Sequence, residues 1–203
     1  MWISADNEKI RYTGRIDWSV PKEPTWIFPC TSSEFKFTGN TLKIHVKNKN
    51  EYWQNYLGCI LDNVQSRFYI KKEGETKIEV RVNENETGVH HVLFFKRQDS
   101  CHEVTILGYE IEDGEKLLEL PKKTDKRIEV YGDSVSAGEV SEAVDFVGKE
   151  DPEHEGGYSN SYYSYGWILA RKLGAQIHDI AQGGIALMDG EGWYHEPEQI
   201  GME

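Results

Sequence analysis

The apolar residues change their period near residue 120, and that change constrains the fold more than any other feature of the chain. From Lys9 to about Leu120, short runs rich in β-branched and aromatic residues are separated by turn residues, with Gly14, Gly39, Gly58, Gly74, Gly88, Gly108 and Gly114 as punctuation. Phe35-Lys36-Phe37-Thr38, Thr41-Leu42-Lys43-Ile44-His45-Val46 and Thr76-Lys77-Ile78-Glu79-Val80-Arg81-Val82 alternate apolar with polar side chains. Each predicts a strand with one core face. Gly88-Val89-His90-His91-Val92-Leu93-Phe94-Phe95-Lys96 is denser, which predicts a strand buried on both faces in the middle of an antiparallel sandwich.

The polar segment Leu120-Pro121-Lys122-Lys123-Thr124-Asp125-Lys126 predicts a boundary between a β-sandwich over 1–123 and a second domain over 124–203. Beyond it, Arg127-Ile128-Glu129-Val130-Tyr131 reads as a strand running into Gly132-Asp133-Ser134. Asn160 to Leu173 places Tyr165, Ile168, Leu169 and Leu173 at helical spacing, closed by Gly174. Ala175 to Ala181 is a second strand, ending in Gly183-Gly184. Strand, helix, strand predicts a βαβ unit, the start of a parallel α/β sheet. The acidic, Gly-containing stretch from Glu139 to Gly157 predicts a solvated surface loop.

With 35 acidic against 23 basic residues the net charge is −12, which argues against a nucleic-acid or anionic-membrane partner. Cys30, Cys59 and Cys101 form an odd, widely spaced set that points to buried free thiols, with no disulfide framework, zinc site or other cofactor expected. The first residues lack the basic and apolar regions of a secretory signal, and no apolar run reaches membrane-spanning length. The expected location is cytoplasmic, unless a leader has been removed. Aromatic residues make up 12% of the chain, which suits packing against pyranose rings, although composition alone favours ordinary core packing.

Ligands of parallel α/β sheets bind outside the carboxyl ends of the strands, where both Gly-flanked turns fall, Gly132 to Gly138 and Gln182 to Gly184. A serine just past a strand end presents its hydroxyl above the sheet, and neighbouring backbone N–H groups can converge on one oxygen. That is the geometry acyl transfer needs. Gly-Asp-Ser alone is weak evidence, so the surrounding residues decide.

Ile128-Glu129-Val130-Tyr131-Gly132-Asp133-Ser134-Val135-Ser136-Ala137-Gly138 resembles the first block of SGNH hydrolases, and Asp179-Ile180-Ala181-Gln182-Gly183-Gly184-Ile185-Ala186-Leu187 resembles their glycine block. The N-terminal half is similar to a narrower group, the family 2 carbohydrate esterases, through Arg11-Tyr12-Thr13-Gly14-Arg15-Ile16, Phe35 to Gly39, Gly88 to Val92 with Phe94-Phe95-Lys96-Arg97, and Leu107-Gly108-Tyr109. The resemblance implies a jelly-roll-like sandwich followed by the first part of an α/β/α SGNH domain. It also implies removal of acetyl groups from plant polysaccharides, with Ser134 as nucleophile. The N–H groups of Ser134 and Gly184, the latter preferred to Gly183 by position, would form the oxyanion hole, and Asp133 would shape the turn. An SGNH domain needs an oxyanion Asn and a base His from later blocks, and neither is found. Asp151-Pro152-Glu153-His154 has the letters of Asp-x-x-His but follows the nucleophile too closely. His45, His90, His91 and His102 fall in the sandwich, His178 in a strand, and His195 after an aromatic loop where it could line the site. Activity is therefore expected only when a second polypeptide segment completes the domain. The alternative is a non-catalytic carbohydrate-binding or assembly module. A nucleotide-binding domain is disfavoured, because the turn lacks a P-loop Lys and the Gly-x-Gly-x-x-Gly spacing.

Overall fold

The computed structural model describes residues 1–83, 88–153 and 155–202. Twelve strands come first among the described residues: β1 (Trp2–Ser4), β2 (Arg11–Thr13), β3 (Ile16–Asp17), β4 (Thr25–Trp26), β5 (Ser32–Thr38), β6 (Thr41–Lys49), β7 (Asn55–Leu61), β8 (Val64–Ile70), β9 (Glu75–Arg81), β10 (Val89–Lys96), β11 (Glu103–Ile111) and β12 (Leu117–Leu118). They form two antiparallel six-stranded sheets. One runs β3-β4-β11-β6-β9 with β1 added on β11, the other β12-β5-β10-β7-β8 with β2 added on β5. The sheet therefore begins earlier than Lys9: Ile3 pairs with Tyr109 and is buried.

The alternating stretches form the strands that the pattern predicts. In β9, Thr76, Ile78 and Val80 are buried while their neighbours face water. Phe35, Phe37, Leu57 and Phe94 of one sheet meet Leu42, Ile44, Val46, Ile106 and Tyr109 of the other in one continuous core. A fully buried Phe or Leu contributes about 1.5–3 kcal/mol through the water it sheds. Tyr109 pairs its buried hydroxyl with Ser33 Oγ at 2.7 Å.

β10 is central, paired with β5 and β7. Phe94 enters the core between the sheets, whereas Phe95 on the opposite face enters a second core with Cys30, Trp167, Ala170 and Ile177. This explains a glycine that was read as a turn. Gly58 lies inside β7 opposite Phe95, and a Cβ there would come within 2.1 Å of the Phe95 ring. Gly108 likewise lies within β11, at a shift in register against β6.

β13 (Arg127–Gly132), the short α1 (Ser134–Ala137), α2 (Tyr165–Leu173) and β14 (Gln176–Ala181) follow, with single 3-10 turns at Val144–Phe146 and Ser161–Tyr163. β13 and β14 pair in parallel, with Gly132 beside Ala181. Ser164 Oγ caps α2 by accepting the Trp167 N–H at 3.2 Å, and Gly174 closes it in the left-handed conformation. The face of α2 differs from the predicted one. Gly166, Trp167 and Ala170 are buried, while Tyr165, Leu169 and Leu173, one per turn on a single stripe, are exposed. Trp167 wins the interior because Phe95 and Tyr162 offer it ring contacts at 5.3 and 5.1 Å. Cys30, Cys59 and Cys101 are free and buried, as expected. The Glu139 to Gly157 stretch is largely exposed apart from short anchored points such as Pro152 and Gly156. No helix among the described residues is long and apolar enough to cross a membrane.

Candidate active site

The parallel register of β13 and β14 brings their carboxyl ends level, so the turns that follow them lie side by side. The Gln182 N–H donates to Gly132 O at 3.1 Å, carrying the pairing one step beyond the strands. The chain then turns sharply at Ser134. A Cβ on Gly132 would lie 1.8 Å from Ser136 Oγ, so only glycine lets the helix fold back this tightly. Asp133 Oδ1 accepts the Val135 N–H at 3.0 Å and caps α1. Gly138, left-handed, ends it after one turn. Ser136 beneath is buried and bonded to the Tyr165 hydroxyl at 2.9 Å.

Ser134 itself is half-buried and lines a cleft of about 680 Å³ together with Gly183 and Gly184. Its hydroxyl and its backbone N–H make no hydrogen bond among the described residues. The same holds for the Gly184 N–H, whereas the Gly183 N–H donates to Asp99 Oδ2 at 2.7 Å. Gly184 is left-handed, with φ of 74°. Its carbonyl accepts the N–H groups of Trp193 and Tyr194 at 2.8 and 3.1 Å, which seats the aromatic 193–194 segment directly over the glycine turn.

The cleft walls are aromatic and acidic. Tyr52 and Trp53 approach from the sandwich, Trp193 and Tyr194 from the other side, and Asp99, Glu139 and Asp151 contribute carboxylates. Burial first, and then the charge of Glu51, push the phenols of Tyr52 and Tyr194 above the ordinary tyrosine range, so both stay neutral hydroxyls. Rings whose faces are open and whose polar tips remain hydroxyls can stack on a sugar and hydrogen-bond its edge.

Among the described residues no histidine lines this cleft. His45 sits between Glu75 and Glu110 at 2.5 and 2.7 Å. His90 bonds Asp62 and His91 bonds Glu34. His102 is fully buried, and its Nδ1 accepts the Glu51 N–H. His178 of β14 lies 3.9 Å from Glu129 of β13. His195 is exposed and stacks edge-on against Tyr194, one residue outside the lining. His154 lies outside the described residues.

Sequence reading singled out Ser134, Asp133 and Gly184, and it missed Asp99, which the fold delivers from the loop between β10 and β11. The one local signal is a run of polar residues, Lys96 to Asp99, that follows a dense apolar strand and is nevertheless buried.

The model of the carbohydrate esterase 2 N-terminal family matches residues 12–121. The cellulase/esterase CelE of Acetivibrio thermocellus is 32% identical over 183 residues, covering 90% of this chain and 21% of that protein. The acetylxylan esterase / glucomannan deacetylase of Cellvibrio japonicus is 26% identical over 186 residues, covering 92% of this chain and 50% of that protein. A solved family two carbohydrate esterase from Clostridium thermocellum, in complex with cellohexaose, superposes with a TM-score of 0.80 at 28% identity, covering 93% of this chain and 55% of the other. The chain thus spans about half the length of these relatives, or less.

Proposed function

This chain belongs to the carbohydrate esterase 2 N-terminal family, and from that premise we propose that it carries the serine nucleophile and part of the oxyanion site of a carbohydrate O-acetylesterase. The observation that carries the proposal is one cleft in which a serine hydroxyl and two backbone N–H groups, those of Ser134 and Gly184, have no hydrogen-bond partner among the described residues. In this reading residues 1–123 are a jelly-roll-like sandwich and 124–203 the first part of an α/β/α SGNH domain. The substrate is an acetylated plant polysaccharide or oligosaccharide, which the aromatic walls suit and the cellohexaose bound by the Clostridium thermocellum relative makes plausible.

Ser134 Oγ attacks the acetyl carbonyl while a base takes its proton, and the N–H groups of Ser134 and Gly184 hold the negative oxygen of the tetrahedral intermediate. Collapse breaks the acyl bond to the sugar oxygen, which receives that proton and leaves as a hydroxyl; water then gives its proton to the same base and attacks the acyl-serine, releasing acetate as the proton returns to Ser134 Oγ. Removing one oxyanion donor costs about 3 kcal/mol in the barrier. Asp133 shapes the turn through its cap on Val135.

In this reading the base and a further oxyanion donor are supplied by additional polypeptide. Two surfaces suit it. Among the described residues β13 pairs with β14 alone, and Tyr165, Leu169 and Leu173 of α2 are exposed. An unpaired strand edge beside exposed apolar side chains is the kind of surface that another strand and helix cover.

The test is acetate release from acetylated xylan, together with mass mapping after a fluorophosphonate probe, on the chain completed by the remainder of its natural polypeptide. Ser134→Ala is expected to abolish release with unchanged far-UV dichroism, and the probe to label Ser134. Undiminished release by the variant, or labelling at other residues only, rejects the assignment.

A further inference from the structure

We propose that Asp99 is a positioning residue through which the β-sandwich sets the oxyanion site of the parallel sheet, an inference that rests on the esterase reading of the Ser134 cleft. Asp99 belongs to the loop between β10 and β11, yet the residue is only 8% exposed and its hydrogen bonds reach into the other half of the chain. Oδ2 accepts the Gly183 N–H at 2.7 Å and the Gln182 Nε2–H at 2.9 Å, and Oδ1 accepts the Cys101 N–H at 3.3 Å. No Lys or Arg forms a salt bridge with its carboxylate among the described residues, although the buried Lys96 ammonium is near enough for the two charges to attract. A buried carboxylate satisfied by backbone and amide donors is costly to desolvate and poor as a stabiliser. Its value lies in what it holds.

The hold extends on both sides. The Ser100 N–H donates to Ala181 O at 3.2 Å, and Ser100 Oγ donates to Gln182 Oε1 at 2.6 Å, so consecutive loop residues dock onto the end of β14. The loop is itself braced by Lys96, whose fully buried ammonium donates to Gln98 O at 2.8 Å and to Asp99 O. With Gly183 N–H committed to Asp99 and Ile185 N–H closing the turn on Gln182 O, the Gly184 N–H between them has no partner among the described residues, on a residue that lines the cleft. Residue 183 has no room for a side chain, because a Cβ there would lie 2.7 Å from Asp99 Oδ2. Moving this peptide by an ångström would misplace the Gly184 donor, a displacement that costs on the order of 100-fold in rate.

The experiment compares the completed protein with its Asp99→Ala, Asp99→Asn and Ser134→Ala variants, measuring kcat and KM for acetate release and affinity for a boronic-acid mimic of the tetrahedral intermediate. Asp99→Ala is expected to lower kcat by roughly 10- to 100-fold with KM within about threefold, because the donor matters most in the transition state. Asp99→Asn, which keeps an acceptor for Gly183, recovers part of that loss. Affinity for the boronate falls in parallel with kcat. If Asp99→Ala does not fold, Asp99→Asn carries the test through the same two readouts. A parent protein without Ser134-dependent turnover refutes the esterase reading. An active parent whose Asp99 variants keep kcat and boronate affinity, or change KM alone, refutes the positioning role.

Discussion

At Ser134 the backbone does the work that the side chains later use. The turn is tight because Gly132 lets Ser136 fold back beneath it, and Gly132→Ala is expected to destabilise the protein by about 1–3 kcal/mol through overpacking. Trimming the neighbour to Ser136→Ala relieves the clash only in part, since it removes the Oγ at 1.8 Å but leaves the Ser136 Cβ 2.6 Å from the new methyl group. Urea unfolding of the two variants and their combination checks this. An additive or fully rescued double variant contradicts it. Gly184→Ala meets a different obstacle. Its neighbours, Tyr194 N at 3.5 Å and Trp193 Cβ at 3.6 Å, leave room, but a φ of 74° is strained for alanine by about 1 kcal/mol. Stability is expected to fall by that amount while kcat falls at least tenfold, since the turn relaxes and takes the N–H with it. Steady-state kinetics beside an unfolding curve separate the two effects. Both glycines were legible in the sequence, because a strand followed at once by a glycine-flanked serine or a glycine pair is a local pattern. Asp99 was not, because nothing near it in sequence says that its loop meets the end of β14.

At the scale of elements, strands were easier to read than the helix face. A strand in a two-sheet sandwich has one core, so alternation assigns its faces, as β5, β6 and β9 show. The helix α2 has two apolar sides in sequence, and which one turns inward depends on partners that only the fold supplies. Phe95 and Tyr162 draw Trp167 inward, and Val130 draws in Gly166, where a Cβ would meet the Val130 methyl at 2.9 Å. Trp167→Ala is expected to cost about 3–5 kcal/mol in chemical denaturation. Leu169→Gln and Leu173→Gln, on the exposed stripe, should each change stability by less than about 0.5 kcal/mol in this chain. A large loss in either Leu variant would mean that the stripe is already covered.

Across the whole molecule the sandwich and the βαβ unit share a second core, and two buried ionisable groups, one beside that core and one in the loop between β10 and β11, act against each other. Asp179, buried beside the Cys30 thiol at 3.3 Å, has its pKa raised to about 7, chiefly by burial. An unfolded aspartate titrates near 3.9. Between those values the folded protein keeps a proton that the unfolded chain has lost, so stability present at low pH drains away as pH rises, by on the order of 4 kcal/mol in all. His102 does the reverse. Burial, and then the Lys96 charge, depress its pKa to about 4, so the unfolded chain, titrating near 6.5, takes up the proton first as pH falls. Its stability is lost on acidification through the same window, by on the order of 3 kcal/mol. The two slopes nearly cancel in the parent protein. Asp179→Asn retains an acceptor for the Cys30 thiol but no longer titrates, which leaves the His102 slope exposed. Relative to the parent, the variant is expected to gain stability steadily as pH rises from about 4 to 7 and to hold that gain above, while its own stability falls steeply on acidification. Urea unfolding of both proteins at closely spaced pH values across that window measures the difference directly. A difference that does not vary with pH would show that Asp179 keeps one protonation state throughout, and that the seam is held by packing alone.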